Sequence, residues 1–133
     1  MEKASFHILR VGTGITFLWI GILILRDPEG WSGMILWWVR DVLGFFAPSP
    51  SGALVATAFL DIAVGFFMLI GVFTWIAALV GVLHLSLVLT VVGINLITVR
   101  DIGLLASALA LLLDSMPDKY RFWTHKAQRS PAI

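Results

Sequence analysis

Two ionisable residues stand inside long apolar runs of this chain, Asp61 and His84. Such residues are costly within a lipid-spanning stretch and usually face a bundle interior or a cavity. Histidine titrates in the physiological range, and a nearby carboxylate shifts it. The two side chains could therefore act together as a proton-handling or quinone-contacting pair. They could equally form a hydrogen bond that only fixes the register of two helices. Further charges sit where apolar runs begin or end: Arg10, Arg40 with Asp41, and Arg100 with Asp101. No HExxH, GxSxG, P-loop or GxGxxG context is present. No catalytic residue and no metal site is assigned. The histidines offer no two ligands at matched depth for haem: His84 is central, His7 is at an edge and His125 is in the tail.

The elements that must position Asp61 and His84 follow from composition. Of 133 residues, 59% are hydrophobic and only 13% charged, and the mean hydropathy is +0.98. A small soluble domain has too much surface to hide so many apolar side chains. The chain reads as an all-α membrane protein, because a bilayer removes that difficulty. A net charge of +1 and the lack of a basic patch argue against nucleic acid. With no cysteine, disulfides, thiol redox chemistry and cysteine-bound metals are excluded.

A spanning helix needs about 20 mostly apolar residues. Four stretches qualify as spans, at about 7–25, 52–73, 74–95 and 97–114. The expectation is one four-helix transmembrane domain over 1–133. The opening stretch reads as an uncleaved span, since no small-x-small cleavage site follows it. The breaker Pro48-Ser49-Pro50-Ser51-Gly52 precedes the second span. A tight hairpin near Phe73-Thr74 must separate the second and third, because one helix over 52–95 would be about twice the bilayer thickness. The fourth is the weakest, with Arg100 and Asp101 at one membrane face. Asp61 and His84 then lie about 18 Å and 16 Å from the hairpin, at 1.5 Å per residue. Thr57, Asp61, Gly65 and Met68 share one face. Ala77, Gly81, His84, Val88, Val91 and Asn95 share another. This register sets Gly65 against Gly81 and Asp61 against His84. On the first span Arg10, Gly14, Phe17 and Gly21 form a stripe. Arg10 reads as a snorkelling charge, or as a partner for a headgroup or Asp114.

Between the first two spans, residues 31–46 are too short and too charged to cross. They read as an interfacial amphipathic helix lying along the membrane surface. Its aromatics Trp31, Trp37, Trp38, Phe45 and Phe46 suit interfacial depth and could also line a quinone or lipid site. Arg40-Asp41 could cross-pair with Arg100-Asp101 to pin this helix over the bundle mouth, although helix capping by Asp101 is a simpler account. Lys3, Arg10, Lys119, Arg121, Lys126 and Arg129 lie at one side. By the positive-inside rule both termini, including the tail 115–133, should be cytoplasmic.

Val99-Arg100-Asp101-Ile102-Gly103-Leu104-Leu105, running on to Leu113, is similar to the last-helix opening of the DoxX family. The stretch from Leu9 to Gly21 resembles that family's first helix, and Asp61 takes the place of an acidic residue common in its second. Arg26 comes slightly later than the family's usual basic residue, and Asp114-Ser115-Met116-Pro117-Asp118 replaces its Gly-Pro-Gly-like exit. The resemblance implies a multi-pass protein of a bacterial or archaeal cytoplasmic membrane. It also implies an accessory subunit beside a quinone-linked oxidoreductase or electron-transfer complex. Without a cofactor motif, the chain would hold quinone, lipid or a partner subunit and carry no electrons itself. The competing readings are a structural or assembly subunit with no ligand, and a small proton-coupled transporter. Membrane lipid and other membrane-protein subunits are the expected partners, and homo-oligomerisation is left open.

Overall fold

The computed structural model describes residues 3–46 and 49–121. Pro48 and the tail residues His125, Lys126 and Arg129 lie outside the described residues. The described residues form helices joined by short turns. They are α1 (Lys3–Arg26), α2 (Pro28–Ser32), α3 (Trp37–Phe46), α4 (Pro50–Ile70), α5 (Thr74–Val92) and α6 (Val99–Ser115). A 3-10 turn, Asp118–Tyr120, follows.

Local chemistry sets the boundaries. Pro28 disfavours helical geometry at Asp27, so α1 stops there. Asp27 then caps α2 by accepting from the Gly30 N–H at 3.0 Å. Ser49 caps α4 in the same way, through Gly52 N–H at 3.1 Å, with Pro50 in the first turn. Gly71, at φ 73°, ends α4 in the left-handed region, where glycine carries no Cβ penalty. Phe73, at φ 52°, completes the reversal into α5. The hairpin therefore lies where the sequence requires it. The helices on either side end earlier than expected, at Ile70 and Val92.

The expected single helix over 31–46 is instead two. Residues 33–36 form a turn. The Leu36 N–H leaves the local helix and donates to Val91 O on α5 at 3.1 Å. That bond ties the connection to the end of α5 and sets α3 on a new course.

The closest helix pair is α1 with α4. A Cβ added to Gly65 would stand 2.6 Å from both Gly14 O and Leu18 N. One added to Gly21 would stand 2.7 Å from Ala58 O. These glycines let two backbones touch, as small residues do in membrane helix pairs. Gly65 thus serves α1, which overturns its expected contact with Gly81. Gly81 instead receives the Phe17 ring, whose Cζ would be 3.0 Å from an added Cβ. Phe17, Met68 and Leu111 are fully buried between the helices. Helix α6 packs on α5 and also meets α1.

Burial is inverted relative to a soluble protein. Thr13, Asp61, His84 and Asp101 are inside, while Ile15, Trp19, Phe59, Phe66, Leu83 and Leu87 are exposed. This is the pattern of a protein whose solvent is lipid. Helices α1, α4 and α5 are each long and apolar enough to cross a membrane.

Candidate functional site

Asp61 lies midway along α4 and His84 midway along α5. His84 Nε2 is 3.0 Å from Asp61 Oδ1, and the two residues are 7% and 3% exposed. Facing positions on adjacent antiparallel helices bring them together.

The pair forms part of the floor of a cavity of about 230 Å³. Phe17, Leu85 and Leu104 complete that floor. Ile20, Ile24, Leu54, Val88 and Val91 form the walls, and Trp31, Met34, Ile35, Val39 and Leu43 form the roof. The cavity therefore runs from mid-helix depth to the end of the bundle that carries α2 and α3. Its polar lining is Thr57, Asp61, His84, Thr98, Arg100 and Asp101. An apolar pocket with a few convergent polar groups is the usual form of a small-molecule site.

Most of those polar groups already have partners. Thr57 Oγ1 donates to Leu54 O at 2.8 Å. Thr98 Oγ1 donates to Gly93 O at 2.6 Å and accepts from Asn95 N–H at 2.9 Å. Asp101 differs. It sits in the first turn of α6, where the helix dipole favours a carboxylate, yet it is only 7% exposed. Arg100 Nε is 3.7 Å from Asp101 Oδ1, beyond hydrogen-bond range. Asp101 Oδ1 has no hydrogen-bond partner among the described residues.

The roof is held by backbone contacts. Arg40 donates from its guanidinium to Ser32 O, and Ser32 Oγ donates to Glu29 O at 2.7 Å. The expected cross-pairing of Arg40-Asp41 with Arg100-Asp101 does not form, because Arg40 donates to the Ser32 carbonyl at the end of α2 and Asp41 is exposed. Of the five aromatics considered for the site, only Trp31 lines the cavity. Trp37, Trp38, Phe45 and Phe46 point outward and are exposed. The turn at 33–36 rotates α3 so that Val39 and Leu43 face in. Val39 and Leu43 stand four positions apart on α3, an inward stripe that the bulk of the tryptophans obscured.

Arg10 sits at the opposite end of the bundle. Its guanidinium donates to Met68 O and, at 3.2 Å, to Leu69 O. A carbonyl-rich helix terminus is thereby satisfied by a cation, and α1 is tied to the end of α4. His7 Nδ1 lies 3.4 Å from the same guanidinium. Arg10 is thus a cap within the protein, a role missed in the sequence because its partners are backbone atoms.

No curated protein and no solved structure matches the chain. Among protein families, the one described as DoxX matches residues 5–99. The match takes in all but the first two residues of α1, the whole of α2 to α5, Asp61, His84 and every roof residue, and it stops short of Asp101. This small, multi-pass membrane protein belongs to the DoxX family.

Proposed function

We propose that the chain is a four-span accessory subunit of a membrane oxidoreductase, and that its cavity holds a quinone headgroup or a similar lipid-borne group. The observation that carries this reading is an apolar cavity with a hydrogen-bonded carboxylate–imidazole pair at its floor. A ring-bearing lipid could place its body against Ile20, Leu54 and Val88 and its polar edge toward His84.

In this reading α6 is the fourth span. It has 17 residues, about 26 Å at 1.5 Å each, and the half-exposed Arg100 reaches outward from its end. Helix α3 lies in the outer interface, with Trp37, Trp38, Phe45 and Phe46 toward lipid. The Trp75 and Tyr120 rings stand 5.8 Å apart, which places the exit of α6 beside the start of α5. Arg10 marks the same end for α1. Both termini then face the cytoplasm, where Lys3, Arg10, Lys119 and Arg121 favour retention.

The test is mass spectrometry of what copurifies in mild detergent from native membranes. Bound quinone, or a redox enzyme subunit, is the expected result. Protein that carries neither, from membranes rich in both, would count against the proposal. A second reading is a purely structural subunit, favoured by the direct Asp61–His84 contact, which pairs the two groups without a ligand. It expects Asp61→Asn to leave a partner's activity intact while loosening the bundle.

A further inference from the structure

Arg10 has more donors and more charge than its capping role uses. Helices α4 and α5 are each long and apolar enough to span a membrane, so the reversal between them, at 71–73, lies at a membrane face. The Arg10 guanidinium is held at that level. Its Nη1 donates to Met68 O and Leu69 O. Gly71 makes room for it, since a Cβ there would stand 2.9 Å from Nη1.

Those bonds leave donors unused. A guanidinium has five N–H groups. Nη1 places two on the carbonyls, and Nη2 places one on His7 Nδ1 at 3.4 Å. The neighbouring Nε–H and the second Nη2–H donate to none of the described residues. Arginine cannot accept, so Nδ1 is the acceptor in the His7 contact and the ring's own N–H is at Nε2. The Phe6 ring holds that imidazole edge-on, with centroids 5.9 Å apart.

The charge is also unbalanced. No carboxylate of the described residues lies within ion-pair distance of Arg10. The dipole of α4 offers roughly half a negative charge at its C-terminus. Lys3, exposed and on the same face of α1 as His7 and Arg10, adds another positive charge. A phosphodiester can take two parallel N–H bonds from one guanidinium, and phospholipid headgroups stand at this depth.

We infer that Arg10 binds the phosphate of one anionic phospholipid, with His7 Nε2–H and the Lys3 ammonium as further contacts. The guanidinium then joins α1, the end of α4 and a lipid headgroup. A zwitterionic headgroup carries its own ammonium, which Lys3 and Arg10 repel. The site is at the opposite end of the bundle from the roofed cavity and does not depend on what that cavity holds.

The experiment is native mass spectrometry of the full chain in detergent, titrated with dioleoylphosphatidylglycerol, dioleoylphosphatidylethanolamine or inorganic phosphate. A basic side chain near an anionic lipid surface is worth about fivefold in affinity. One phosphatidylglycerol per chain should therefore bind at least about fivefold more tightly than phosphatidylethanolamine. Lys3→Gln with His7→Leu leaves the cap on α4 in place and should weaken phosphatidylglycerol binding about fivefold. Arg10→Lys keeps the charge but loses the paired N–H groups, and should weaken it about tenfold. Arg26→Gln, at the other end of α1, should leave it unchanged. Equal binding of the two lipids overturns the inference, and so does a preference that is lost with Arg26 and kept without Lys3 and His7. Wild-type binding by Arg10→Lys removes Arg10 as the anchor. Displacement of the lipid by an equal concentration of inorganic phosphate would make this a free-phosphate site and overturn the lipid assignment. The wild-type comparison of lipids needs no variant, so a misfolded Arg10→Lys protein does not shield the inference.

Discussion

Replacing Asp61 with leucine removes a buried 3.0 Å contact and leaves His84 facing an apolar wall. His84→Leu does the reverse, and the double variant leaves two leucines in contact. In soluble proteins, breaking one side of a buried pair costs about 3–5 kcal/mol. Polar pairs between membrane helices couple more weakly, about 0.6 kcal/mol on average and about 1.7 at most, because separated helices find other partners in the bilayer. Position decides where this pair falls. Asp61 is nine residues from the end of α4 at Ile70, about 14 Å along the axis, too far for its short side chain to reach the interface. The separated helix therefore has little relief available, which puts the coupling near the upper limit, about 1.5 kcal/mol. Each single leucine variant should cost about 2–4 kcal/mol, and the double variant should fall short of their sum by the coupling. Asp61→Asn retains an acceptor for His84 and should cost less than half as much as Asp61→Leu. The assay is reversible unfolding in mixed micelles, followed by circular dichroism. Additivity within about 0.5 kcal/mol would show that the two side chains are not energetically joined, and the argument from their contact would fail.

Other substitutions probe the frame around that pair. Gly65→Ala pushes a methyl group against the backbone of α1 and should destabilise the bundle by about 1–3 kcal/mol. Gly12→Ala, with nothing near its added Cβ, should be neutral or gain up to about 1 kcal/mol from helix propensity; the same micelle unfolding assay ranks the two. Arg10→Leu should cost about 1.5–3 kcal/mol by orphaning the Met68 and Leu69 carbonyls, and Arg10→Lys should recover part of it. The chain has no cysteine, so single cysteines at Asn95 and Asp118 can be labelled cleanly. An impermeant maleimide added to oriented vesicles should reach them from opposite faces, and labelling from one face would contradict the four-span arrangement.

The sequence made the helices and their polar face legible because a bilayer imposes strict lengths and penalises every buried charge. Asp61 and His84 were conspicuous for that reason, and hairpin length alone set their depth. Which helix a glycine faces was not legible. Gly65 and Gly81 sit at matched depth on neighbouring helices, yet the stripe from Gly14 to Gly21 on α1 competes for the same small surface and takes Gly65. The roof was misread for a different cause. Helical periodicity over 31–46 presumes one continuous axis, and the turn at 33–36 breaks it. Asp101 was assigned to a membrane edge because charge at a helix start has a ready explanation. Its spacing with Leu104, Ala108 and Leu111, the buried stripe of α6, was the signal that it turns inward.

The distribution of packing bears on the difference between binding and transport. Below the cavity, Phe17, Met68 and Leu111 are fully buried, and Phe17 fits against Gly81 where no side chain stands. Lower still, Arg10 fastens α1 to the end of α4. Opening a route to the end of the bundle that carries Arg10 would require Phe17 to leave its notch and the α1–α4 backbone contact to part. Close-packed interiors resist such movement, because each displaced side chain loses many small contacts at once. The roof is tied to α5 by the Leu36–Val91 backbone bond and packs on α4 through α2 and α3. In the proposed reading, an occupant entering at the α2–α3 end of the bundle reaches His84 without disturbing the half packed around Phe17 and Arg10. A proton-coupled transporter must instead unseal that half in every cycle. On the proposed function, this asymmetry of packing suits a site open to one end of the bundle and places the transport reading behind the binding one.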